Sequence, residues 1–337
     1  MTKQRKYKKL RIEASSVCQL NCPSCPTARK LILPVIGKGF LRINDFQNLI
    51  DENRYVREIE LSNYGEIFLN PDLLKIMHYA YKKNVLLTAG NGVNLNNVKM
   101  DVLEGLVKYQ IRSLSCSIDG INQETYQKYR IGGNYDTVIK NIRKINKYKK
   151  KYRSIYPILT WQFIIFGHNE DQLQNAKNLA ASLDMNFSPK LSFDSEFSPC
   201  SDATASREFK VRSRREYKEI NKTEYMQHIC NQLWEQPQIN WNGKVLGCCI
   251  NFWGDFGGNV FADGLIDALN NEKINYAMGM LLGKNDARDD IPCVTCPVYK
   301  TMIEYNKWLD RSRKRNIFVS LYRQMPKKIR YFIKNRY

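Results

Sequence analysis

The sequence predicts an α/β chain. A partial (βα)6 TIM-like barrel is followed by a linker, a small cysteine-rich domain and a basic helical tail. Three observations carry this. From residue 8 to 195, strand-like and helix-like segments alternate. Residues 196–229 break that rhythm with polar and charged residues, as a linker or lid would. From Cys230 to residue 299 cysteines return in a second group, and 300–337 is rich in Lys and Arg. A chain of 337 residues has room for one large and one smaller domain.

The elements follow in order. "KKLRIEA" (8–14) reads as a strand, and "NDFQNLIDEN" (44–53) opens with cap-type residues and reads as a helix. "VREIELSN" (56–63) alternates apolar and polar residues, as a half-buried strand does. In "NPDLLKIMHYAYKKN" (70–84), Asn70 is expected as N-cap and Pro71 at the first helical position. "VLLTAG" (85–90) is a strand, 97–109 a helix and "IRSLSCSID" (111–119) a strand. Residues 134–151 place Ile139, Ile142 and Ile145 on one helical stripe. "ILTWQFIIF" (158–166), a helix over 169–183 and "NFSPKLSFD" (186–194) complete six units. Ligands of such barrels sit at the C-terminal strand ends. Alternation in the fourth strand puts Ser115, Ser117 and Asp119 on one face and Cys116 on the other, as a small core residue.

Net charge is +20, which favours an anionic partner: phosphate, nucleic acid or a membrane surface. No run approaches the roughly 20 apolar residues of a membrane span. "MTKQRKYKKLRIE" lacks the apolar stretch of a secretory signal. A cytoplasmic location is expected, where ten cysteines point to metal more than to disulfides.

"SSVCQLNCPSCPTARK" (15–30) gathers Cys18, Cys22 and Cys25 just after the first strand. Thiolates suit zinc or iron–sulfur clusters. A cubane [4Fe–4S] cluster has four irons, so three cysteines leave one iron open to a chelating cofactor. The competing reading is a zinc knuckle completed by a distant ligand. The C-x3-C-x2-C spacing, with a βα barrel behind it, resembles the radical S-adenosylmethionine (SAM) superfamily. That resemblance implies that the methionine amine and carboxylate of SAM chelate the open iron. "SNYGEIFLNPDLL" (62–74) is similar to the family's Gly-Gly-Glu motif. Gly65 and Glu66 match it, for holding the methionine ammonium, while Asn63 and Tyr64 depart from the doubled glycine. The same resemblance assigns Ser117 and Gln162 to cofactor binding. It leaves His168 as a site-lining residue or part of a helix cap with Asn169. Ser24 stands where members often carry a bulky residue, which puts adenine packing there in doubt.

In the second group, "INWNGKVLGCC" (239–249) reads as a strand, an Asn-Gly turn and a strand. The turn brings Cys248 and Cys249 toward Cys230, with Cys293 and Cys296 following in "PCVTCP". This arrangement resembles the SPASM/twitch extension of radical enzymes. It implies one auxiliary [4Fe–4S] cluster on Cys230, Cys248, Cys293 and Cys296, with Cys249 beside it and a four-thiolate zinc site as the alternative.

The resemblance implies an enzyme that reductively cleaves SAM to a 5′-deoxyadenosyl radical. The radical then abstracts hydrogen from a peptide or sugar-type substrate, and a flavodoxin- or ferredoxin-type donor supplies electrons. A fully ligated auxiliary cluster suits an electron relay and hence net oxidation. Epimerisation is the redox-neutral alternative and needs a hydrogen donor, for which Cys200 in the linker is the candidate. A different class, a cluster-containing nucleic-acid-binding or electron-transfer protein, draws on the charge. Against it, no base-stacking motif is present and the basic residues are dispersed. The tail "RNIFVSLYRQMPKKIRYFIKNRY" (315–337) interleaves apolar residues at helical spacing with Lys and Arg. It reads either as helices packed on the second module or as a basic amphipathic segment peripheral to an anionic inner-membrane surface.

Overall fold

The computed structural model describes residues 4–201 and 209–311. Six parallel strands form the barrel sheet: β1 (Lys9–Ile12), β2 (Glu58–Glu60), β3 (Leu86–Val93), β4 (Ser113–Ser117), β5 (Ile158–Ile165) and β6 (Asn186–Leu191). The sheet runs β6-β5-β4-β3-β2-β1 and continues past β1 into β7 (Gln238–Ile239) and β8 (Val245–Gly247). β6 and β1 do not pair, so the barrel is open on that side.

The helices on the outer face are α1 (Ile43–Glu52), α2 (Leu73–Lys82), α3 (Met100–Lys108), α4 (Gln123–Tyr129), α5 (Tyr135–Lys151) and α6 (Leu173–Ser182). The period-2 pattern of the strands explains the layering. Leu10, Ile12, Ile59, Leu114, Cys116, Trp161 and Phe163 point outward into the core under the helices and are buried. Their neighbours Arg11, Glu60, Ser117 and Gln162 are buried polar residues on the opposite, lumenal face. Cys116 is indeed a core residue.

The structure departs from the sequence expectation in several places. α2 begins at Leu73 with Asp72 as N-cap. Asn70 is drawn elsewhere, its amide donating to Ala14 O and Leu41 O and its Oδ1 accepting from Asp72 N. β3 continues three residues beyond Gly90, through a register irregularity against β4 between Ala89 and Val93. The polar stretch 196–229 contains a helix, α7 (Arg214–Asn221), capped by Ser213. The expected hairpin forms, but β7 pairs in parallel with β1, Arg11 facing Gln238. The cysteine-rich segment therefore starts as an extension of the barrel sheet. Helices Leu265–Leu269, Glu272–Leu281 and Pro297–Glu304 complete it. The tail segment 315–337, expected to be helical, lies outside the described residues.

Candidate functional site

The loop after β1 carries Cys18, Cys22 and Cys25 as free thiols. It is tied down by main-chain bonds from Cys25 N to Cys22 O and from Asn21 N to Ile131 O. Its cysteines pack with Leu20, Tyr129, Phe166 and Phe197. Burial pushes the Cys18 thiol up to about 12 and raises that of Cys22, the latter opposed by Arg130. Arg130 stands 3.8 Å from Cys22 Sγ and pairs with Asp119 at 2.6 Å. Three soft donors in a buried loop are costly as thiolates unless a cationic group joins them.

The 62–66 loop abuts the cysteine loop. Glu66 N donates to Val17 O at 2.8 Å, and Thr27 Oγ1 donates to Tyr64 O at 2.7 Å. A Cβ on Gly65 would stand 2.0 Å from Ser15 O, so only glycine permits this approach. Beneath lies Glu13, fully buried, its carboxylate accepting from Tyr64 N and Gly65 N. Burial raises its carboxyl to about 8 against the pull of those two N–H groups. Glu66 is 3 % exposed and raised to about 7, again by burial. It accepts from Phe68 N at 3.2 Å and Asn94 N at 2.6 Å. Asn94 Nδ2 in turn lies 3.8 Å from Cys18 Sγ.

A polar row crosses the lumen at the C-terminal ends of β4, β5 and β6. Gln162 Nε2 lies 3.4 Å from Ser117 Oγ, and Lys190 Nζ donates to Gln162 Oε1. Gly92, at φ +121°, faces this row. A Cβ there would fall 2.4 Å from Ser117 Oγ and 3.1 Å from Gln162 Nε2. The missing side chain leaves a cradle over both residues.

Four further cysteines line one cavity: Cys230, Cys248, Cys293 and Cys296. Leu233, Phe256 and Leu281 make its other walls apolar. Burial pushes Cys293 up to about 12, and burial together with the neighbouring cysteines raises Cys230 and Cys248 well above the ordinary thiol value. Cys249 does not line this cavity. Its N–H donates to Gln232 Oε1 at 2.8 Å and its Sγ accepts from Gln232 Nε2 at 3.4 Å. Among the described residues, no three Cys, His, Asp or Glu side chains are drawn to metal-ligand distance. The donor sets nonetheless fit iron–sulfur chemistry, with three thiols beside a polar cradle and four around an apolar cavity.

Sequence position suggested the barrel mouth for Cys200. The structure sets its Sγ 3.9 Å from the main-chain O of Ile165, the last residue of β5, in a cleft with Ser192, Asp194 and Pro199. His168 stacks on Phe166 and meets Ser198 Oγ at 2.9 Å, while Asn169 bonds to Asp119 O and Ile164 O. Five site residues escaped sequence reasoning: Glu13, Gly92, Asn94, Arg130 and Lys190. Arg130 follows an unrecognised helix, α4, and the other four carried no motif signal.

Comparison with known proteins agrees with this geometry. Residues 12–180 match the radical SAM superfamily and residues 230–297 match an iron–sulfur cluster-binding domain, SPASM. An AdoMet-dependent heme synthase of Methanosarcina barkeri is 28% identical over 138 residues, 40% of this chain. The match spans 38% of that relative's length. In structure, Streptococcus suis SuiB bound to S-adenosylmethionine superposes with TM-score 0.60 at 15% identity, over 88% of this chain and 72% of that one. anSMEcpe with bound AdoMet gives 0.56 at 13%, over 88% and 96%. These likenesses support the fold. The two family matches carry with them SAM, a SAM-binding [4Fe–4S] cluster and an auxiliary cluster. With its barrel, its three-cysteine loop and its second cysteine cavity accounted for, the chain belongs to the radical SAM superfamily and carries a SPASM domain.

Proposed function

We propose that Cys18, Cys22 and Cys25 hold the SAM-binding cluster and that Gly65 and Glu66 receive the methionine ammonium. Ser117 and Gln162 line the cofactor's ribose side, and Cys230, Cys248, Cys293 and Cys296 hold the auxiliary cluster. The supporting observation is the convergence through Asn94, which bonds Glu66 with its backbone and approaches Cys18 with its side chain. When bound and reduced, the cofactor pair supplies hydrogen-atom abstraction from an unactivated C–H bond.

The chain's own residues orient and exclude. Glu66 fixes a cation beside the cysteine loop. Gly92 leaves room over Ser117 and Gln162, and the buried Glu13 locks the 62–66 loop. The reaction is net oxidation of a peptide or sugar-type substrate: a cluster held by Cys230, Cys248, Cys293 and Cys296 would accept the second electron from the substrate, and a flavodoxin- or ferredoxin-type donor would supply the first electron for SAM cleavage. Epimerisation would need a hydrogen donor, for which Cys200, beside the C-terminal end of β5, is the candidate. A peptide substrate is favoured by SuiB, a structural relative crystallised bound to its precursor peptide SuiA. The basic tail makes peripheral contact with an anionic membrane. Among the described residues no helix is long and apolar enough to cross one.

The test is anaerobic reconstitution followed by reduction in the presence of SAM. Formation of 5′-deoxyadenosine and methionine is expected. Intact SAM in a protein with full iron content would overturn the reading.

A further inference from the structure

Two half-buried cations stand at the C-terminal end of β6, and among the described residues neither has a carboxylate within ion-pair distance. On β6, Asn186, Ser188 and Lys190 share the inward face. Register sets Ser188 beside Gln162 and Lys190 beside Ile164, so Lys190 stands one pleat above Gln162 toward the C-terminal end. Its ammonium donates to the Gln162 carboxamide, a neutral partner that leaves the charge uncancelled.

Arg214 is the second cation, in the first turn of α7. Its Nε donates to Leu191 O at 3.0 Å, one residue along β6 from Lys190. Its guanidinium lies over the Tyr225 ring, 4.8 Å from the centroid. The arginines flanking it are paired: Arg212 with Glu216 and Arg215 with Glu219. Among the described residues, no carboxylate comes within ion-pair distance of Lys190 or Arg214. Asp119, which influences Lys190, is held by Arg130 at 2.6 Å.

This arrangement is unfavourable as it stands. Both groups are half-buried. Burial, then the charge of Arg214, presses against the protonated form of Lys190; burial does so for Arg214, against the pull of Tyr225 and Glu224. An unpaired charge withdrawn from water is costly, and the first turn of a helix is the wrong end for a cation. An incoming dianion would relieve both costs. A phosphate monoester carries between one and two negative charges at neutral pH, where a carboxylate carries one. Lysine serves such a group as a point charge.

We propose that Lys190, backed by Arg214, receives a phosphate group of the substrate at the barrel mouth, above the Ser117–Gln162 row. This deepens the proposed function and rests on it only for which end of the barrel faces substrate.

Inorganic phosphate is the probe. The thermal midpoint of reconstituted full-length protein is followed against phosphate at constant ionic strength, without and with saturating SAM. A saturable rise is expected under both conditions. Lys190→Met should weaken the apparent affinity by about tenfold or more, the scale of one charge-assisted hydrogen bond. Lys190→Arg should restore it, and Lys147→Met on α5 should leave it unchanged. Arg214→Gln serves as a second variant if Lys190→Met does not fold, and the same weakening is expected of it. Equal responses in wild type and in the Lys190 or Arg214 variant would overturn the proposal. So would loss of the response when SAM saturates, since the cofactor's carboxylate would then be the anion that Lys190 takes. Failure of SAM cleavage alongside an intact, Lys190-dependent phosphate response would sink the radical reading and leave this site standing.

Discussion

Glu66 and Cys18 are held by opposite ends of one residue. Asn94 gives its backbone N–H to Glu66 Oε2 at 2.6 Å and its carboxamide to Cys18 Sγ at 3.8 Å. A ligand ammonium that reaches Glu66 is thereby placed beside the cysteine loop. The carboxyl is raised to about 7 by burial, so near neutrality the empty site is partly protonated and a cation must draw out its ionised form.

The first prediction follows from that balance. SAM affinity should rise as pH increases through about 7. Glu66→Gln should lower the affinity by about tenfold or more and flatten its pH dependence, because a charge-assisted bond is replaced by a neutral one. Iron content should be unchanged. Equilibrium binding of SAM to reconstituted protein at several pH values reads both effects, and an unaltered profile would show that Glu66 does not meet the ammonium.

The second prediction separates two adjacent thiols. Cys248 lines the cavity with Cys230, Cys293 and Cys296, whereas Cys249 is engaged by Gln232. Two cubane clusters give about eight irons per chain. Cys248→Ala should bring this toward about four, and Cys249→Ala should leave it near the full value. Iron analysis with EPR of the reduced protein decides, and the opposite ranking would reassign the ligand. Zinc in place of half the iron would remove the auxiliary cluster altogether.

Much of this was legible because local periodicity and cysteine spacing report on local structure. The core-facing stripe of Ile139, Ile142 and Ile145 and the inward face of β4 needed only helical and strand periods. What was not legible depended on distant partners. The sequence reads the third strand as ending at Gly90, yet it runs on through Asn91 and Gly92 to Val93 because its sheet neighbours hold it extended. Asn70 reads as a cap, but two carbonyls from remote segments claim its amide. Lys190 is one of 53 Lys and Arg residues. Its lumenal position emerges only from the β5–β6 register. The parallel pairing of β7 with β1 joins segments more than 200 residues apart, beyond any local pattern.

The third prediction concerns Gly92. An alanine there meets Ser117 Oγ and Gln162 Nε2 and must also hold φ +121°, a conformation costing an L-residue ~1–3 kcal/mol. Gly264→Ala is the control, with φ +81° and nothing within 4 Å of its Cβ. Both variants should lose thermal stability. Only Gly92→Ala should also lose SAM binding at full iron content. Equal SAM affinity in the two would mean that the cradle over β4 and β5 is not used by the cofactor.

The fourth prediction rests on Glu13, whose carboxyl is raised to about 8 by burial beneath the 62–66 loop. The sign follows from proton counting. Between the ordinary value of 4.5 and about 8 the folded chain holds a proton that the unfolded chain has released. Stability from this group is therefore complete below 4.5 and is lost as pH rises toward and through about 8. Glu66 contributes a slope of the same sign, so the informative quantity is the difference between wild type and Glu13→Gln, in which Glu66 cancels. The glutamine carbonyl can still accept from Tyr64 N and Gly65 N, and it carries no charge to desolvate. The two proteins should have similar thermal midpoints near pH 5, and Glu13→Gln should become the more stable as pH approaches 8. Parallel curves across that range would mean that Glu13 is ionised in the folded protein, with its two backbone donors outweighing burial.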